Sequence, residues 1–438
     1  MKTPASTASR LAAASALVAL LSASLPLASA ADLTWATNAA GSWNTSTTTA
    51  WNPGPVAWNN ANNDTAIFGG SAATYTVSIA TGTAISAGGL SVTTGNNVTL
   101  NSGGAGSSLT LAGAEPTIGG TGNTTLSIAL QGANGLIKTG SGTLRLNVAA
   151  TYSGDTVLNN DNGNGQITLG VTNGLSTTTK LTTESGTNFT MQGFSQTLAG
   201  LAGNGTVRTT SGSTSKVTIN GGTTDTFTGS INDGATVGVA LGFERAGTGT
   251  TNLNGTSAYR GTTTVSGGTL SLGSNLSGTA SVTVTGGTLA SSVANVNLGT
   301  GAVTMTGGAL SANGASIGTF TLASGQNFTA TLATLNFTLG ASNTSDQIIG
   351  SGLFDLNNIT LALSGNTSVA GTYTLFSGFT GSNVVTDVTI TGLDAGLTGV
   401  LGTNGILTVS AIPEPSIYAA LAGAAGLAFA SLRRRSRG

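Results

Sequence analysis

The feature that most constrains this chain is a sequence unit that occurs twice. It stands at residues 135–158 as GLIKTGSGTLRLNVAATYSGDTVL and at residues 241–272 as LGFERAGTGTTNLNGTSAYRGTTTVSGGTLSL. Tyr152 and Tyr259 occupy the same place in the two copies, and each is followed two positions later by a glycine. A chain that repeats one supersecondary unit buries its apolar face by stacking the copies, so the repeat predicts a solenoid.

Period-two alternation indicates that the stacked elements are strands. In the first copy the aliphatic residues alternate with polar ones; the aliphatic set is Leu144, Leu146 and Val148, and the polar set is Thr143, Arg145 and Asn147. Alternation places the two sets on opposite faces of a strand. Glycines between the runs supply the corners, because glycine adopts positive φ without steric cost.

The length of one coil follows from a later pattern. The tetrapeptide G-G-(T/A)-L occurs at residues 267–270, 286–289 and 307–310. Such a repeat of about 20 residues accommodates three short strands with their corners, which corresponds to roughly 14 coils between residues 72 and 350. The pattern also predicts an inner column formed by Leu270, Leu289 and Leu310.

The composition agrees with stacked strands and excludes several kinds of chemistry. Charged residues are 6% of the chain and glycine contributes 68 of 438 residues, whereas ordinary soluble domains contain roughly 25% charged residues. There is no cysteine and no histidine, which excludes disulfides, thiolate catalysis and imidazole-based catalysis or metal binding. Between residues 31 and 412 there are seven Lys/Arg and thirteen Asp/Glu. A nucleic-acid partner is therefore not expected.

The repeated unit resembles the autotransporter-associated β-strand repeat, whose core reads K-x-G-x-G-T-L-x-L followed by Y-x-G-x-T-x-V. The first copy carries the matching residues Lys138, Gly140, Gly142, Thr143, Leu144, Leu146, Tyr152, Gly154, Thr156 and Val157. The second copy departs from the pattern, since Arg245 replaces the Lys and Thr251 replaces the first Leu. The resemblance implies an all-β, right-handed parallel β-helix (β-solenoid) that is exported, and it implies no catalytic residue.

The N-terminus has the three parts of a secretory signal peptide at residues 1–30. Lys2 and Arg10 provide the charged start, residues 11–27 are mostly apolar, and Ala28-Ser29-Ala30 offers a cleavage site for signal peptidase. The mature chain is expected to begin at Ala31. A cytoplasmic amphipathic helix is the alternative interpretation.

Residues 412–438 resemble the PEP-CTERM sorting signal that exosortase recognises in Gram-negative bacteria. The motif Pro413-Glu414-Pro415 is followed by an apolar stretch at 417–432 and by the arginines Arg433, Arg434, Arg435 and Arg437. The prolines favour an extended conformation. The apolar stretch is short for a transmembrane helix in a membrane core of about 30 Å but suffices with snorkelling flanks, and the arginines favour the cytoplasmic side. An ordinary C-terminal membrane anchor is the alternative interpretation.

The mature chain is expected to contain three further regions. Residues 31–71 hold all four tryptophans and are predicted to form an N-terminal cap, with a sugar-binding platform of exposed rings as the alternative. Residues 72–350 are predicted to form the β-helix. Residues 351–411, which are richer in hydrophobic runs, are predicted to form a C-terminal β cap.

The search for catalytic and metal-binding chemistry finds weak candidates. The charged pairs are Asp155 with Asp161, Asp225 with Asp233, and Glu244 with Arg245, and each is expected to be solvated surface charge. Residues 160–165, NDNGNG, resemble a calcium loop faintly but lack the later oxygen ligands and the bidentate Glu. The sequence therefore predicts no catalytic residue, no cofactor and no metal.

Two hypotheses for function remain. In the first, the chain is a non-enzymatic structural or adhesive protein of the cell surface or extracellular matrix, and its partners are exopolysaccharide or envelope components. In the second, it is a polysaccharide-binding or polysaccharide-active β-helix. A groove with converging carboxylates, or a row of exposed tryptophans, would favour the second hypothesis.

Overall fold

The structure, a computed structural model, describes residues 30–47, 50–54, 56–161, 163–211, 213–234 and 238–412, together with residues 423 and 427. Within these residues the regular secondary structure is almost entirely short strands joined by turns, with one 3-10 turn at Ala341–Asn343. The strands stack in parallel to form a β-solenoid of about 13 turns. The all-β parallel architecture predicted from the repeat is therefore confirmed.

The first twelve strands build the N-terminal coils. They are β1 (Asp32–Trp35), β2 (Gly41–Trp43), β3 (Trp51–Asn52), β4 (Thr65–Phe68), β5 (Thr74–Ile79), β6 (Ala84–Ala87), β7 (Gly89–Val92), β8 (Asn97–Ser102), β9 (Ser108–Leu111), β10 (Thr117–Gly120), β11 (Asn123–Ser127) and β12 (Leu130–Gly132).

The middle of the solenoid contains both copies of the repeated unit. Its strands are β13 (Leu136–Lys138), β14 (Thr143–Leu146), β15 (Thr156–Leu158), β16 (Gln166–Leu169), β17 (Lys180–Thr183), β18 (Asn188–Thr190), β19 (Gln196–Leu198), β20 (Gly200–Gly203), β21 (Thr206–Arg208), β22 (Ser215–Ile219), β23 (Thr224–Phe227), β24 (Ser230–Asn232), β25 (Leu241–Arg245), β26 (Thr250–Leu253), β27 (Thr263–Val265), β28 (Thr269–Leu272) and β29 (Val282–Val284).

The last fourteen strands form the C-terminal third. They are β30 (Thr288–Ser291), β31 (Asn295–Asn297), β32 (Val303–Met305), β33 (Ala309–Ser311), β34 (Thr319–Thr321), β35 (Phe328–Thr331), β36 (Thr334–Leu339), β37 (Gln347–Ile349), β38 (Phe354–Gly365), β39 (Gly371–Thr374), β40 (Phe376–Ser377), β41 (Val384–Thr391), β42 (Leu397–Leu401) and β43 (Ile406–Ala411).

The inner column predicted from the G-G-(T/A)-L pattern is present. Leu270 pairs in register with Leu289, and Leu289 pairs with Leu310. The same column continues through Leu335 and Leu361. All five side chains are at most 3% exposed. Each coil therefore places its leucine directly on the leucine of the coil below, and the core is a continuous aliphatic ladder.

Coil length varies more than the sequence pattern suggested. The coil that runs from Leu310 to its register partner Leu335 is longer than the coil that runs from Leu270 to Leu289. The parallel ladder fixes only the residues that pair, so a corner can take extra residues without shifting the register. The expected coil of about 20 residues thus applies to some coils only, since Val217 and its register partner Phe243 enclose a longer one in the middle of the chain.

Strand β14 of the first repeat copy lies in a second, nine-stranded parallel sheet that runs from β2 to β24, whereas β13 and β15 of the same copy lie in the 24-stranded sheet. Leu144 and Leu146 of β14 are fully buried. Val148 was expected on the same inner face, but it is 37% exposed. The reason is that β14 ends at Leu146, so the alternation of faces does not extend to Val148.

The four tryptophans close the N-terminal end. Trp35, Trp43, Trp51 and Trp58 are each at most 3% exposed and pack ring against ring with Phe68, with the centroids of Trp43 and Trp58 4.9 Å apart. The short strand β3 pairs antiparallel with β1, while β4 pairs with β1 in parallel, so both edges of β1 are occupied. Buried rings do not form the exposed sugar-binding platform of the alternative interpretation.

The parallel stack extends past residue 350 at the C-terminal end. Strand β38 has 12 residues and pairs in parallel with both β35 and β36, and β41 pairs in parallel with β38. A smaller antiparallel sheet, in the order β39, β43, β42, lies beside these coils. The sequence predicts a separate cap at residues 351–411. Among the described strands of this region, only β39, β42 and β43 are antiparallel, and the others continue the parallel stack.

The leucine column can be tested by a paired substitution in one strand. Leu270→Asp is expected to destabilise the surrounding coils by several kcal/mol, because it buries a carboxylate without a partner. Ser271→Asp is the control, since Ser271 lies on the opposite face of β28 and is partly exposed. Hydrogen exchange and thermal unfolding measure the effect. Equal stability of the two variants would contradict the burial of Leu270.

Candidate functional site

Several charged residues of the described chain join neighbouring coils, and each has partners of its own. Asp225 was paired with Asp233 in the sequence analysis, but the two carboxylates have separate partners. The Nζ of Lys180 lies 3.2 Å from Asp225, and the hydroxyl of Thr223 donates to the same carboxylate at 2.7 Å. Asp225 is only 5% exposed, so the expectation of a solvated surface charge is wrong for this residue. The ion pair spans two coils, because Lys180 pairs with Gly200 of β20 and β20 pairs with β23.

Glycine makes this ion pair possible. A Cβ at Gly200 would lie 2.4 Å from the Oδ2 of Asp225 and 3.2 Å from the Cγ of Lys180. The coil between the two charged residues therefore has no side chain at the crossing point. This is a packing requirement for glycine and needs no unusual backbone angle.

Asp233 organises the turn that precedes β25. Its carboxylate accepts the backbone N–H of Arg260 at 2.7 Å and of Leu241 at 3.2 Å, and the Nε of Arg260 lies 3.0 Å away. Asp233 is 1% exposed. Three donors around one buried carboxylate satisfy its charge. The expectation of solvated charge is therefore wrong for Asp233 as well.

Glu244 and Arg245 are neighbours in sequence but point to opposite faces of β25. The carboxylate of Glu244 faces outward and bonds Lys216 and the hydroxyl of Ser266. Burial opposes ionisation of Glu244, but these hydrogen bonds and the charge of Lys216 outweigh it, so its pKa is below the usual value. Arg245 faces inward and is 1% exposed. The two side chains therefore do not form an acid–base pair.

Asp155 and Asp161 also have different surroundings. A carboxylate oxygen of Asp155 accepts the backbone N–H of Lys180 at 3.4 Å, while the backbone N–H of Asp161 bonds the side chain of Asn159 at 2.6 Å. Asp161 is exposed in the loop after β15. Among the described residues no group of three or more Asp or Glu could hold a metal ion. Asn162 of the calcium-like segment lies outside the described residues.

Both copies of the repeated unit contain a buried cation that binds backbone carbonyls. Lys138 is 2% exposed and its Nζ donates to the carbonyls of Thr139 and Gly140 at 2.5 and 3.1 Å. Arg245, at the same place in the second copy, donates to the carbonyls of Gly249, Ile219 and Gly221 at 3.1, 2.7 and 2.8 Å. Each cation therefore satisfies carbonyls at a glycine corner that no strand can reach.

Burial shifts the pKa of both cations. It lowers the pKa of Lys138 to about 8, since the charged form is poorly solvated inside the coil. Burial also lowers the pKa of Arg245, and the negative charge of Asp225 partly opposes this shift. Sequence analysis identified both residues as motif positions without predicting their burial. Their position in the alternation could have indicated this burial. Lys138 stands two residues after the core residue Leu136, and Arg245 stands two residues after the core residue Phe243, so both fall on the inner face of their strands.

Both copies also contain a buried tyrosine that bonds a threonine pair. The Tyr259 hydroxyl is 2.7 Å from the hydroxyl of Thr263, which is 3.0 Å from that of Thr279 in the next coil. In the first copy Tyr152 bonds Thr156, which lies 2.9 Å from Thr179. Burial raises the pKa of Tyr259 to about 12 and also raises that of Tyr152. The motif's Tyr and Thr therefore connect consecutive coils.

Asp346 is a buried carboxylate that was not identified from the sequence. Asp346 is 1% exposed and accepts the backbone N–H groups of Gly318 and Thr338, both at 2.6 Å. Burial raises its pKa, with the hydrogen bonds opposing the shift. Its partners lie 28 and 8 residues away in sequence, so no local pattern marks it. Its role is to bridge two corners.

The corners of the solenoid also form a groove of about 510 Å³. It is lined by the stacked segments 204–206, 228–230 and 254–256 together with Ser274, all glycine, asparagine, serine or threonine. The lining has no carboxylate and no aromatic ring. The groove therefore offers hydroxyl, amide and backbone groups only.

The two repeated units match a known family. Residues 136–160 and 243–272 match the family model described as the Passenger-associated-transport-repeat. Two stretches of this chain are similar to passenger repeats. The resemblance seen in the motif residues is thereby confirmed. The matched ranges contain the buried cation, the glycine corner and the tyrosine of each copy, so the family pattern coincides with the contacts that join coils.

A curated relative shares part of the chain. The "Adhesin BmaC autotransporter" of Brucella suis biovar 1 (strain 1330) is 41% identical over 108 residues, which is 23% of this chain and 3% of the adhesin. The chain thus corresponds to a small part of that adhesin's length.

The predicted processing sites cannot be placed in this geometry. Ala28 of the predicted cleavage site and the predicted apolar segment at 11–27 lie outside the described residues, as do the predicted sorting motif Pro413–Pro415 and the arginines Arg433, Arg434, Arg435 and Arg437. Ala30 and Ala31 are described and exposed. Among the described residues no helix is long and apolar enough to cross a membrane.

The burial of Lys138 predicts a particular dependence of stability on pH. Its pKa is about 8 in the folded chain, against 10.5 for a free lysine, so the unfolded chain binds more protons between these values. The free energy of unfolding should therefore rise with pH in this window and fall as pH drops toward 8, by roughly 1–2 kcal/mol between pH 8 and pH 10.

Lys138→Arg is the matched variant, because the second copy carries Arg245 at this place and arginine stays charged at pH 10. Urea denaturation at pH 8 and pH 10 should show this gain in the parent chain and lose it in Lys138→Arg. Lys180→Arg is the control, since Lys180 is 38% exposed. The same pH dependence in the parent and in Lys138→Arg would contradict the assignment.

Proposed function

We propose that this chain is a non-enzymatic structural or adhesive protein exported to the cell surface or extracellular matrix of a Gram-negative bacterium. The observation that carries this proposal is the use of the ionisable side chains in the repeat. Lys138 and Arg245 bind backbone carbonyls, and Tyr152 and Tyr259 bind threonines of neighbouring coils. Because the polar groups of the repeat are hydrogen-bonded within the solenoid, the repeat serves a structural role.

The surface left to solvent supports the same function. The outward column on β26, β28 and β30 is formed by Thr250, Thr269 and Thr288, which pair in register. Uncharged hydroxyls in a regular column offer many weak hydrogen bonds along a rod, which suits adhesion to polar surfaces and not a single reaction centre. The partial match to an adhesin is in line with this proposal.

The proposal includes the route to the surface. Signal peptidase would cut after Ala30, and the solenoid, coiled right-handed, would fold outside the cytoplasm. The apolar segment 417–432 would cross the inner membrane as a short helix, with the arginines in the cytoplasm. Exosortase would then act near Pro413-Glu414-Pro415, and the mature chain would contact exopolysaccharide or envelope components. No cofactor and no nucleic acid take part.

The first test concerns the tail. Mass spectrometry of protein extracted from the cell surface is expected to find a chain that begins at Ala31, ends near residue 412 and lacks Arg433 to Arg437. Glu414→Ala should retain the arginines and accumulate in the inner membrane, whereas the control Asp394→Ala, an acidic change outside the motif, should be processed normally. Intact arginines in the surface fraction would indicate an ordinary anchor instead.

The second test concerns catalysis. Mature protein incubated with a panel of acidic and neutral polysaccharides is expected to release no reducing or unsaturated ends, because the carboxylates of Asp225, Asp233 and Glu244 are bound to separate partners. Asp225→Asn and Asp233→Asn provide the comparison, since each would affect stability only. Turnover that either substitution abolishes would establish a polysaccharide-active site and refute the non-enzymatic function.

A further inference from the structure

The groove of about 510 Å³ is built from corners that share one sequence pattern, a glycine between two polar residues. The corners are Asn204-Gly205-Thr206, Thr228-Gly229-Ser230 and Asn254-Gly255-Thr256. They lie on successive coils. Thr206 pairs in register with Ser230. A bridge between Ile231 and Ser257 then places Ser230 beside Thr256. Because stacked strands are about 4.8 Å apart, the two identical corners are separated by roughly 10 Å along the groove.

The floor of the groove is backbone. A Cβ at Gly229 would lie 2.0 Å from the carbonyl oxygen of Gly205, and a Cβ at Gly255 would lie 1.9 Å from that of Gly229. Stacking therefore requires glycine at these positions. The backbone N–H of Ser230 donates to the carbonyl of Gly205 at 3.0 Å, which holds one corner on the next. A ligand can thus approach a fixed floor that has polar side chains along both sides.

Several of these side chains are left without a partner. The amides of Asn204 and Asn254 and the hydroxyls of Thr206 and Thr256 form no hydrogen bond with any other described residue. The two asparagines are exposed to solvent. The first and third corners therefore present the same pair of groups, an amide and a hydroxyl, to whatever occupies the groove.

A neighbouring asparagine shows that the solenoid can use such amides internally. The Nδ2 of Asn252 donates to the carbonyl of Asp225 at 3.3 Å and to the hydroxyl of Thr226 at 3.2 Å, so this amide joins two coils. Asn254 makes no such bond, but its place is fixed by packing. A Cβ at Gly273 would lie 2.3 Å from the Oδ1 of Asn254, so glycine in the next coil makes room for this amide.

The composition of the lining indicates the class of ligand. The lining residues include no ionisable side chain and no aromatic ring. Anionic polymers are bound through lysine and arginine, and peptides are bound through apolar pockets or open strand edges. The groove has none of these features. Amides, hydroxyls and backbone groups suit a ligand whose surface is uncharged and rich in hydroxyls, and among biological polymers this describes a neutral polysaccharide.

The spacing of the corners selects a shape of polysaccharide. In an extended β-linked chain each sugar advances by a distance close to the spacing of the coils, and every second sugar presents the same edge. The groove repeats in the same way, since identical corners stand on alternate coils. We propose that the groove binds an extended, neutral, β-linked polysaccharide that runs across the coils. Asn204 and Asn254 bind the same edge of alternate sugars, and Thr228 contacts the sugar between them.

This inference deepens the proposed adhesive function and rests on it, because it assigns one kind of partner to one place on the solenoid. Binding at a single groove is expected to be weak. Neutral hydrogen bonds to a ligand replace hydrogen bonds to water, and no buried apolar surface adds to them.

Native electrophoresis in gels that contain a polysaccharide tests the proposal. The sample is the full chain in a detergent without a sugar headgroup. Hydroxyethyl cellulose is the neutral β-linked probe, soluble starch is the neutral α-linked probe, and alginate is the acidic probe. Hydroxyethyl cellulose is expected to slow the migration of the chain, whereas starch and alginate at the same concentration are expected to leave it unchanged.

A pair of substitutions locates the binding. Asn204→Ala combined with Asn254→Ala removes both amides and should raise the apparent Kd for hydroxyethyl cellulose on the order of tenfold. Asn164→Ala combined with Asn295→Ala is the matched control. These two asparagines are also exposed, have no hydrogen-bond partner for their amides among the described residues and lie outside the groove. Thermal unfolding of both double variants checks that the fold is retained.

Each result decides the proposal. Retardation by hydroxyethyl cellulose that the groove variant weakens and the control variant keeps supports it. Equal retardation of the parent and the groove variant, equal retardation by starch, a preference for alginate, or no retardation at all would overturn it. None of these results bears on export or sorting, so the proposed function would stand. Conversely, reducing ends released from a polysaccharide would refute the non-enzymatic function, while weakened retardation of the groove variant would still establish the groove.

Discussion

The structure depends on one constraint, the stacking of each coil on the coil below in register. Parallel pairing satisfies the backbone groups of every inner strand, and it places Leu270, Leu289 and Leu310 in one buried column. Because neighbouring coils approach closely, corners exclude side chains: a Cβ at Gly287 would lie 2.5 Å from the carbonyl of Gly268. The high glycine content and the aliphatic ladder are therefore two consequences of the same stacking.

At the corners, backbone groups lack ladder partners, and charged side chains supply the missing hydrogen bonds. Where a strand ends, carbonyls and N–H groups lose their ladder partners and must bond elsewhere. Arg245 supplies donors to three carbonyls, and Asp346 supplies acceptors to two N–H groups. The burial of these groups at coil corners is the cause of their shifted pKa values. A shifted pKa in this fold therefore does not by itself mark a catalytic group.

The ends of a solenoid are the places where stacking stops, and this chain treats its two ends differently. Tryptophans fill the N-terminal end, where Trp43 and Trp51 are fully buried. At the C-terminal end, β41 pairs with β38 and with no other described strand. In the proposed adhesive function, the surfaces left for partners are this end and the outer hydroxyl columns.

The sequence by itself determined the repeat, the strand faces and the burial of Leu144 and Leu270, because period-two alternation and glycine corners are local patterns. It also pointed to export and sorting, which remain predictions. Only the tertiary structure decided which residues meet across coils. Lys180 of β17 reaches Asp225 of β23 although several strands separate them in the sequence, and coil length varies, so sequence spacing does not reveal such pairs. Stacking fixes contacts by register in space, and register depends on every loop in between.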